Sequence, residues 1–418
     1  MFEKHLGLTI HVVSKPDKFE RLNTPCLAYD KNYTGRKPGV VPHTLLLESG
    51  IRDLHPKTII YQGLPALFPV GEGILPFDIF AAVFYLLTRY EEYLPYTADS
   101  HGRFLPENSI LDKQGCLDIP LVDYWLEKFK SRLTEIYPSL TFMKSRFQYQ
   151  STIDVDNAFK YKHKGFGPTL FALARDFLFL RYSTFRERLS AVTGKSHDPF
   201  DVYRVIEKET GDFGFPLLFF MQVGHYGKQD KNFHKQKKEY KMLLNELAGK
   251  HAVGIHPSYK SNAKPALLEK EIQYLEDVLQ KKVHDSRQHY LMLNIPYTYN
   301  QLIKMGIKRD YSMGYASKVG FRAGTSHPFR FYNLHLEQEQ DLEIIPFCVM
   351  DRTLKDYLKL NTDEATAVIK KLVGSISKTG GVFTSLWHNE IFSDEGEWLG
   401  WGKVYPGMLK FAKEHEEK

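Results

Sequence analysis

The stretch FQYQSTIDVD, residues 147–156, reads as a β-strand with two unlike faces, because successive side chains of a strand point to opposite sides. One face carries Phe147, Tyr149, Ser151, Ile153 and Val155, and the other carries Gln148, Gln150, Thr152, Asp154 and Asp156. Like charges on one strand face repel each other unless a cation lies between them or one of them is protonated. The stretch therefore predicts a strand that ends at a cation or at a shared proton.

Downstream of this strand, apolar strand-like runs alternate with amphipathic helical segments, except in the segment Gly314–Asp341, which we leave unassigned. Repeated strand–helix units build a parallel sheet, and seven of them can close into a barrel with its active site at the carboxyl ends of the strands. The predicted strands are Phe147–Asp156, Pro216–Val223, Ala252–His256, Lys282–Arg287, Ile307–Ser312, Leu342–Met350 and Gly381–His388. The predicted helices are Phe200–Gly211, Phe233–Gly249, Pro265–Lys281, Pro296–Met305, Thr362–Thr379 and Val404–His415.

The first 145 residues differ in composition from the rest, because they are rich in Pro and Gly residues typical of turns. Short β-like pieces lie at Leu8–Val13 and Thr58–Gln62, and helical patterns lie at Phe77–Tyr93 and Asp123–Tyr137. We predict an α/β chain in which a smaller α+β domain, residues 1–145, precedes a distorted (β/α)7 barrel, residues 146–418.

The charge balance excludes a strongly basic nucleic-acid binder, because the formal net charge is only +6 over 418 residues. The densest basic run, Lys228–Lys241, is typical of the solvated start of a helix. The three cysteines stand far apart without a CxxC pair, which argues against a disulfide framework and a cysteine-based zinc site. We expect no nucleic-acid partner.

The N-terminal sequence shows no apolar stretch of signal-peptide length. The most apolar run, Ile74–Thr88, is interrupted by Asp78 and falls short of the ~18 clean residues of a membrane span. We therefore expect a cytoplasmic protein without a membrane span.

Polar side chains collect at the predicted carboxyl ends of the strands: Asp154, Asp156, His256, Arg287, His289, Asp310 and His388. Carboxylates and imidazoles are ligands that suit zinc and related divalent ions. A metal with an open position lowers the pKa of bound water toward ~7, a nearby Asp can take a proton, and a His can protonate the leaving group. The set predicts hydrolysis of an amide or ester without a covalent intermediate, and the sequence has no GxSxG elbow for nucleophilic catalysis.

The motifs TIDVD, GIHPSY, SRQHY, RDYS and SLWHN, in this order, resemble the motif series of the polysaccharide deacetylases (NodB-homology, carbohydrate esterase family 4) over about residues 147–415. The family fold is a distorted seven-unit β/α barrel. The N-terminal stretches FYLLTRYEEYL and DSHGRF resemble an uncharacterised domain that precedes deacetylase-like barrels in some bacterial proteins.

This resemblance implies roles for single residues. Asp154 matches the catalytic base, and Arg287 matches the arginine that orients it. His388 matches the general acid, and Asp310 matches an aspartate that tunes this histidine.

The family's metal ligands are altered in two motifs. Val155 stands where the family has its ligand aspartate, and Lys260 stands where it has its second ligand histidine. We therefore expect Asp156, His256 and His289 to bind a divalent metal, zinc above all. The alternative is that His289 hydrogen-bonds substrate or backbone and that no metal is bound.

Three further residues are expected to contact substrate. Tyr290 follows the arginine motif, Trp387 adjoins His388, and Arg322 lies between glycines in GFRAG. Alternatively, Trp387 packs in the core and Arg322 pairs with Asp154 or Asp351.

The function that these expectations favour is a metal-dependent hydrolase that removes an acetyl group from an N-acetylated sugar or a related carbohydrate amide or ester. One alternative is an inactive deacetylase barrel that binds carbohydrate. Another is a sugar-processing lyase or glycosidase, because Asp154 and Asp156 on one strand face lie ~6.6 Å apart at their Cα atoms, within the range of carboxylate pairs.

Overall fold

The computed structural model describes residues 2–232 and 237–417, leaving aside the side chains of Phe2 and Lys4. The strands of the described chain are, in order, β1 (Thr58–Tyr61), β2 (Leu64–Leu67), β3 (Phe147–Val155), β4 (Leu217–Met221), β5 (Ala252–Ile255), β6 (Asp285–Ser286), β7 (Arg309–Asp310), β8 (Phe329–Asn333), β9 (Gln338–Ile344), β10 (Val349–Met350) and β11 (Gly381–His388). The α-helices are α1 (Pro16–Glu20), α2 (Ile79–Leu87), α3 (Ile110–Lys113), α4 (Leu121–Ile136), α5 (Phe166–Leu178), α6 (Tyr182–Val192), α7 (Tyr203–Gly211), α8 (Lys238–Lys250), α9 (Pro265–Leu279), α10 (Tyr297–Lys304), α11 (Thr362–Ser377) and α12 (Val404–Glu416).

One large sheet organises the chain after residue 146. Within the described residues, nine strands follow the order β10–β11–β3–β4–β5–β6–β7–β9–β8, and β1 and β2 form a separate antiparallel pair. Neighbours in the large sheet are parallel except β8 and β9. Because parallel strands present their carboxyl ends at one edge, this order brings the ends of β10, β11, β3, β5 and β6 together.

Strand β3 lies inside the sheet and has the two faces that its sequence predicts. Ile153 and Val155 are fully buried in the large hydrophobic core beneath the helices. Thr152 and Asp154 point to the other side, where both contact Arg287. The neighbouring strand β11 pairs with β3 along its whole length.

Two large hydrophobic cores and two small clusters are present in the described chain. The larger one draws on residues 147–412, and the smaller one draws on residues 6–133 together with Tyr315 and Leu334. Asp78 caps helix α2 within the smaller core, because its side chain accepts hydrogen bonds from the backbone N–H groups of Phe80 and Ala81. A boundary between two domains near residue 145 stays a proposal.

The mixed α/β architecture with a large parallel sheet is confirmed. The (β/α)7 barrel is not, because no pairing closes β10 onto β8 in the described residues, and the predicted strand Leu342–Met350 is divided between β9 and β10. The unassigned segment Gly314–Asp341 contributes β8, which lies antiparallel to β9 at the sheet edge.

Other differences concern short segments. Leu8–Val13 forms no strand in the described chain, because alternation alone does not provide a pairing partner. The predicted helix Phe233–Gly249 begins at Lys238, and its first residues, 233–236, lie outside the described residues. Helices α5 and α6 form where the sequence analysis predicts none. Among the described helices, none has both the length and the apolar composition of a membrane span.

Candidate active site

The carboxyl ends of neighbouring strands supply the site. Asp156 follows β3, His256 follows β5, and His289 lies three residues beyond β6. Their ligand atoms all lie within 4.8 Å of one another. His256 Nε2 is 3.1 Å from Asp156 Oδ1, and His289 Nε2 is 3.4 Å from Asp156 Oδ2. The three side chains expected to bind a metal therefore converge, and we call them the ligand cluster.

Each histidine of the ligand cluster is held by a hydrogen bond from its Nδ1. His256 Nδ1 lies 2.7 Å from the backbone carbonyl oxygen of Arg287, which can only accept, so this nitrogen carries the proton. His289 Nδ1 lies 2.9 Å from a carboxylate oxygen of the buried Asp230, which accepts in the same way. Both imidazoles therefore direct Nε2 at Asp156, an arrangement typical of metal-binding histidines.

This arrangement fits a divalent cation. In a neutral imidazole protonated at Nδ1, Nε2 presents a lone pair, so two lone pairs face a carboxylate unless a cation or added protons lie between them. Asp156 Oδ1 is buried and, within the described chain, accepts no hydrogen bond. One oxygen and two nitrogen donors suit zinc.

The pKa shifts of Asp156 and His289 also favour positive charge at this site. Burial alone raises the pKa of Asp156, but the His289 and His256 imidazoles outweigh it and hold this pKa well below its ordinary value. Burial lowers the pKa of His289, but Asp156 and Asp230 outweigh it and raise this pKa to about 10. Positive charge is thus strongly favoured between Asp156 and the histidines.

Asp154 lies beside the ligand cluster, paired with a cation. Arg287 Nη1 donates to Asp154 Oδ1 at 3.1 Å and to Thr152 Oγ1 at 2.7 Å, while Arg287 Nε donates to the carbonyl of Tyr311. The other oxygen of Asp154 is 3.8 Å from His256 Nε2. Arg287 is fully buried, so its guanidinium holds Asp154 in one position.

His388, at the end of β11, faces the ligand cluster from the opposite side. Its Nδ1 is 2.8 Å from Asp351 Oδ1, its backbone N–H donates to Asp351 Oδ2, and its Nε2 is 3.9 Å from Asp156 Oδ2. Burial lowers the pKa of His388, but Asp351 outweighs it and raises this pKa to about 9. His388 therefore carries a proton at neutral pH on the side that faces the cavity.

The role expected for Asp310 needs correction. Its carboxylate accepts hydrogen bonds from Ser286 Oγ and from the backbone and hydroxyl of Ser312, and it does not contact His388. Asp351 is the aspartate that holds this histidine. Burial raises the pKa of Asp310 to about 6, opposed by the hydrogen bonds from Ser286 and Ser312 and by the charge of Arg287.

A cavity of about 460 Å³ opens above these groups. Tyr290, expected to contact substrate, lines it together with Asp154, Asp156, His256 and His388. The N-terminal region also reaches this cavity. Arg103 lines it and donates to the backbone carbonyl of Tyr290 at 2.8 Å, a contact that no sequence pattern indicates.

Two residues expected to contact substrate are placed elsewhere. Trp387 is completely buried, donates from Nε1 to Ser385 Oγ and packs edge-on against Tyr405, because odd positions of β11 point into the helix-covered core. Arg322 borders an adjoining cavity of about 310 Å³, but its guanidinium is bound to both oxygens of Glu92 and to the carbonyl of Gly314. Neither side chain is available to a ligand in the main cavity.

Two residues of the site were missed. Asp351 directly follows a predicted strand, so the rule that identified the other strand-end residues could have identified it. Asp230 lies within the basic run Lys228–Lys241, which was interpreted as a solvated helix start. Asp230 is buried although Lys228 and Lys231 beside it in the loop before α8 are exposed, and no pattern in the local sequence indicates this.

The N-terminal region matches a family model. The description of this model is a family of unknown function, DUF7033, and the match covers residues 1–138. No curated protein matches the chain.

Several solved structures are similar to the chain at low identity. A candidate polysaccharide deacetylase from Mycobacterium smegmatis is 14% identical, with a TM-score of 0.41, and the match covers 65% of this chain and 84% of that one. The polysaccharide deacetylase Bc1974 from Bacillus cereus is 13% identical, with a TM-score of 0.30 and coverage of 65% and 88%. A pseudoenzyme of carbohydrate esterase family 4 from Bacillus anthracis is 11% identical, with a TM-score of 0.32 and coverage of 64% and 61%.

Proposed function

We propose that the chain is a metal-dependent hydrolase that removes an acetyl group from an N-acetylated sugar or a related carbohydrate amide or ester. The observation that carries this proposal is the convergence of His256 and His289 on Asp156, flanked by the Asp154–Arg287 pair on one side and the His388–Asp351 pair on the other. The ligand cluster would hold a zinc ion, which would supply Lewis acidity and lower the pKa of water toward about 7.

Asp154 and His388, on either side of the ligand cluster, each carry out one proton transfer. Asp154 takes a proton from the attacking water, and Arg287 is a positioning residue that keeps this carboxylate oriented. His388 donates a proton from Nε2 to the leaving nitrogen or oxygen, and Asp351 stabilises the imidazolium before this donation. The acetyl C–N or C–O bond breaks, and acetate and a free amine or hydroxyl leave.

The two altered motifs are compatible with this function. Val155 is fully buried in the core, so the pleat of β3 leaves Asp154 and Asp156 on the cavity side and lets Asp156 serve as the ligand. Lys260 is exposed, and His289 lies beside His256 with ring centroids 4.9 Å apart. His289 thus supplies the second imidazole from a different loop, which favours an enzyme over an inactive barrel that only binds carbohydrate.

The first test is metal content and acetate release from N-acetylglucosamine oligomers by the zinc-loaded protein. We expect one zinc per chain, which His289→Ala removes, and acetate release that Asp154→Asn lowers by about 10²–10⁴-fold while zinc stays bound. His284→Ala is the matched control, because His284 is an exposed histidine five residues away, on the other side of β6. Zinc bound without acetate release from any acetylated sugar tested contradicts the proposed reaction and favours the binding alternative.

A further inference from the structure

Helices α5 and α6, residues 166–192, form a hairpin that exposes its apolar side chains. Phe166 is 86% exposed, Phe171 72% and Leu178 75%, and other large apolar side chains of the hairpin are also exposed. The set includes Phe177, Phe179 and Leu180. Soluble proteins rarely expose so many large apolar side chains in one short hairpin unless it is an interaction surface, and we call these side chains the apolar patch.

The inner side of this hairpin is held by charged groups. Asp176 is completely buried and accepts from Arg188 Nε at 2.8 Å, and the Arg188 guanidinium lies 4.6 Å from the ring centroid of Tyr161. Lys160 and Glu187 form a further ion pair at 2.8 Å. The Asp176–Arg188 pair joins α5 to α6, and the contacts of Arg188 with Tyr161 and of Glu187 with Lys160 attach the hairpin to the preceding segment.

The surroundings of the apolar patch are basic. Residues 160–195 contain eight Lys and Arg but only two Asp and Glu. Both acidic residues, Asp176 and Glu187, are paired with cations, whereas Arg181 and Arg186 are exposed. Exposed aromatic and leucine side chains with flanking arginines are typical of helices that lie in the interface of an anionic bilayer.

We propose that the 166–192 hairpin docks on the surface of a membrane that contains anionic lipids. The 13 residues of α5 span about 20 Å, shorter than the ~30 Å hydrocarbon core, so the helix lies in the interface and does not cross it. A symmetric contact between two copies is disfavoured, because it brings the same basic residues face to face.

The 166–192 hairpin lies close in sequence to the candidate active site. The hairpin begins nine residues after Asn157, which lines the cavity directly beyond β3. Docking is independent of the reaction that the site performs, so its test does not depend on the proposed deacetylase activity.

The test is co-sedimentation of the full chain with vesicles of phosphatidylcholine alone and of phosphatidylcholine mixed with an equal amount of phosphatidylglycerol. We expect binding to the anionic vesicles only, weakened about tenfold by Phe171→Glu and by Phe179→Glu, and weakened also by Arg181→Gln with Arg186→Gln. The matched control is Ile60→Glu, because Ile60 is 71% exposed on the β1–β2 pair and lies outside the patch.

Three results overturn the proposal: no sedimentation of the wild-type chain with anionic vesicles, unchanged sedimentation of the phenylalanine variants, or equal loss with Ile60→Glu. A wild-type dimer that Phe171→Glu dissociates, without vesicle binding, assigns the patch to a second copy of the chain instead. Because the substituted side chains are exposed, circular dichroism of each variant is expected to match the wild type.

Discussion

Two charged clusters, one of Arg and Glu and one of Asp and His, differ in whether their charges are already paired. In the first, which we call the buried ion cluster, Arg322 and Arg89 both bind Glu92, and Arg89 also contacts Glu91 and the carbonyl of Arg322. Each charge in that cluster meets an opposite charge. In the ligand cluster, two imidazoles face one carboxylate, and an oxygen of Asp156 is left without a hydrogen bond among the described residues.

The difference between the two clusters is that structural charges are neutralised by each other, whereas functional charges are left for a ligand. Burial alone raises the pKa of Glu92, but Arg322 and Arg89 outweigh it and hold this pKa below its ordinary value. The buried ion cluster is thus complete by itself and joins the N-terminal region to the segment after β7. The ligand cluster is complete only when a cation or added protons enter it.

The largest effect is expected from breaking the buried ion cluster. Arg322→Met leaves Glu92 with a single cation in a buried site, which costs about 3–5 kcal/mol of unfolding free energy. Urea unfolding of the variant measures this loss. Zinc content per folded chain is expected to match the wild type, and a loss of zinc with unchanged stability contradicts the separation of the two clusters.

A smaller effect is expected from the carboxylate that holds His289. Asp230→Asn keeps the shape but removes the charge that fixes the Nδ1 proton, so zinc affinity falls about 10–100-fold. Competition with a chelator measures the affinity. The matched control is Asp99→Asn, because Asp99 is an aspartate paired with Arg103 at the neighbouring cavity and does not contact His289.

A change of pH dependence is expected from the partner of His388. Asp351→Asn removes the negative charge that raises the pKa of His388 to about 9, so the alkaline limb of the kcat/KM profile moves to lower pH. The charged form of His388 contributes to stability fully below pH about 6.5, and this contribution is lost as pH rises through about 9. Asp356→Asn, in the same cavity but paired with Arg352, is expected to leave the alkaline limb in place.

The smallest effect is expected from the N-terminal contribution to the cavity. Arg103 donates to the backbone carbonyl of Tyr290, whose φ of 59° lies in the left-handed region that non-glycine residues rarely adopt. Arg103→Ala removes this support and is expected to raise KM about 3–10-fold, consistent with the loss of about one hydrogen bond, while kcat changes little. Equal losses in kcat and kcat/KM contradict a role in substrate binding.

The sequence predicted those features that follow from local periodicity. Alternation placed Asp154 and Asp156 on one face of β3, and the strand–helix rhythm placed His256, His289 and His388 at the same sheet edge. Each of these residues lies at or just beyond the carboxyl end of its own strand, so its place at this sheet edge follows from a short stretch of chain.

The remaining features depend on contacts between distant segments. Glu92 and Arg322 are 230 positions apart, and nothing near Arg322 in sequence shows that its charge is already neutralised. Asp230 reaches His289 from a loop inside a basic run. The partner of a charged side chain was therefore harder to predict than the position of that residue at a strand end.

The most direct test of the central claim is a crystal structure of the zinc-loaded chain with an anomalous difference map at the zinc edge. We predict a single strong peak bound by Asp156 and by Nε2 of His256 and of His289, at distances of about 2.0–2.2 Å. A map without a peak between these three side chains, or a peak bound without His289, contradicts the account.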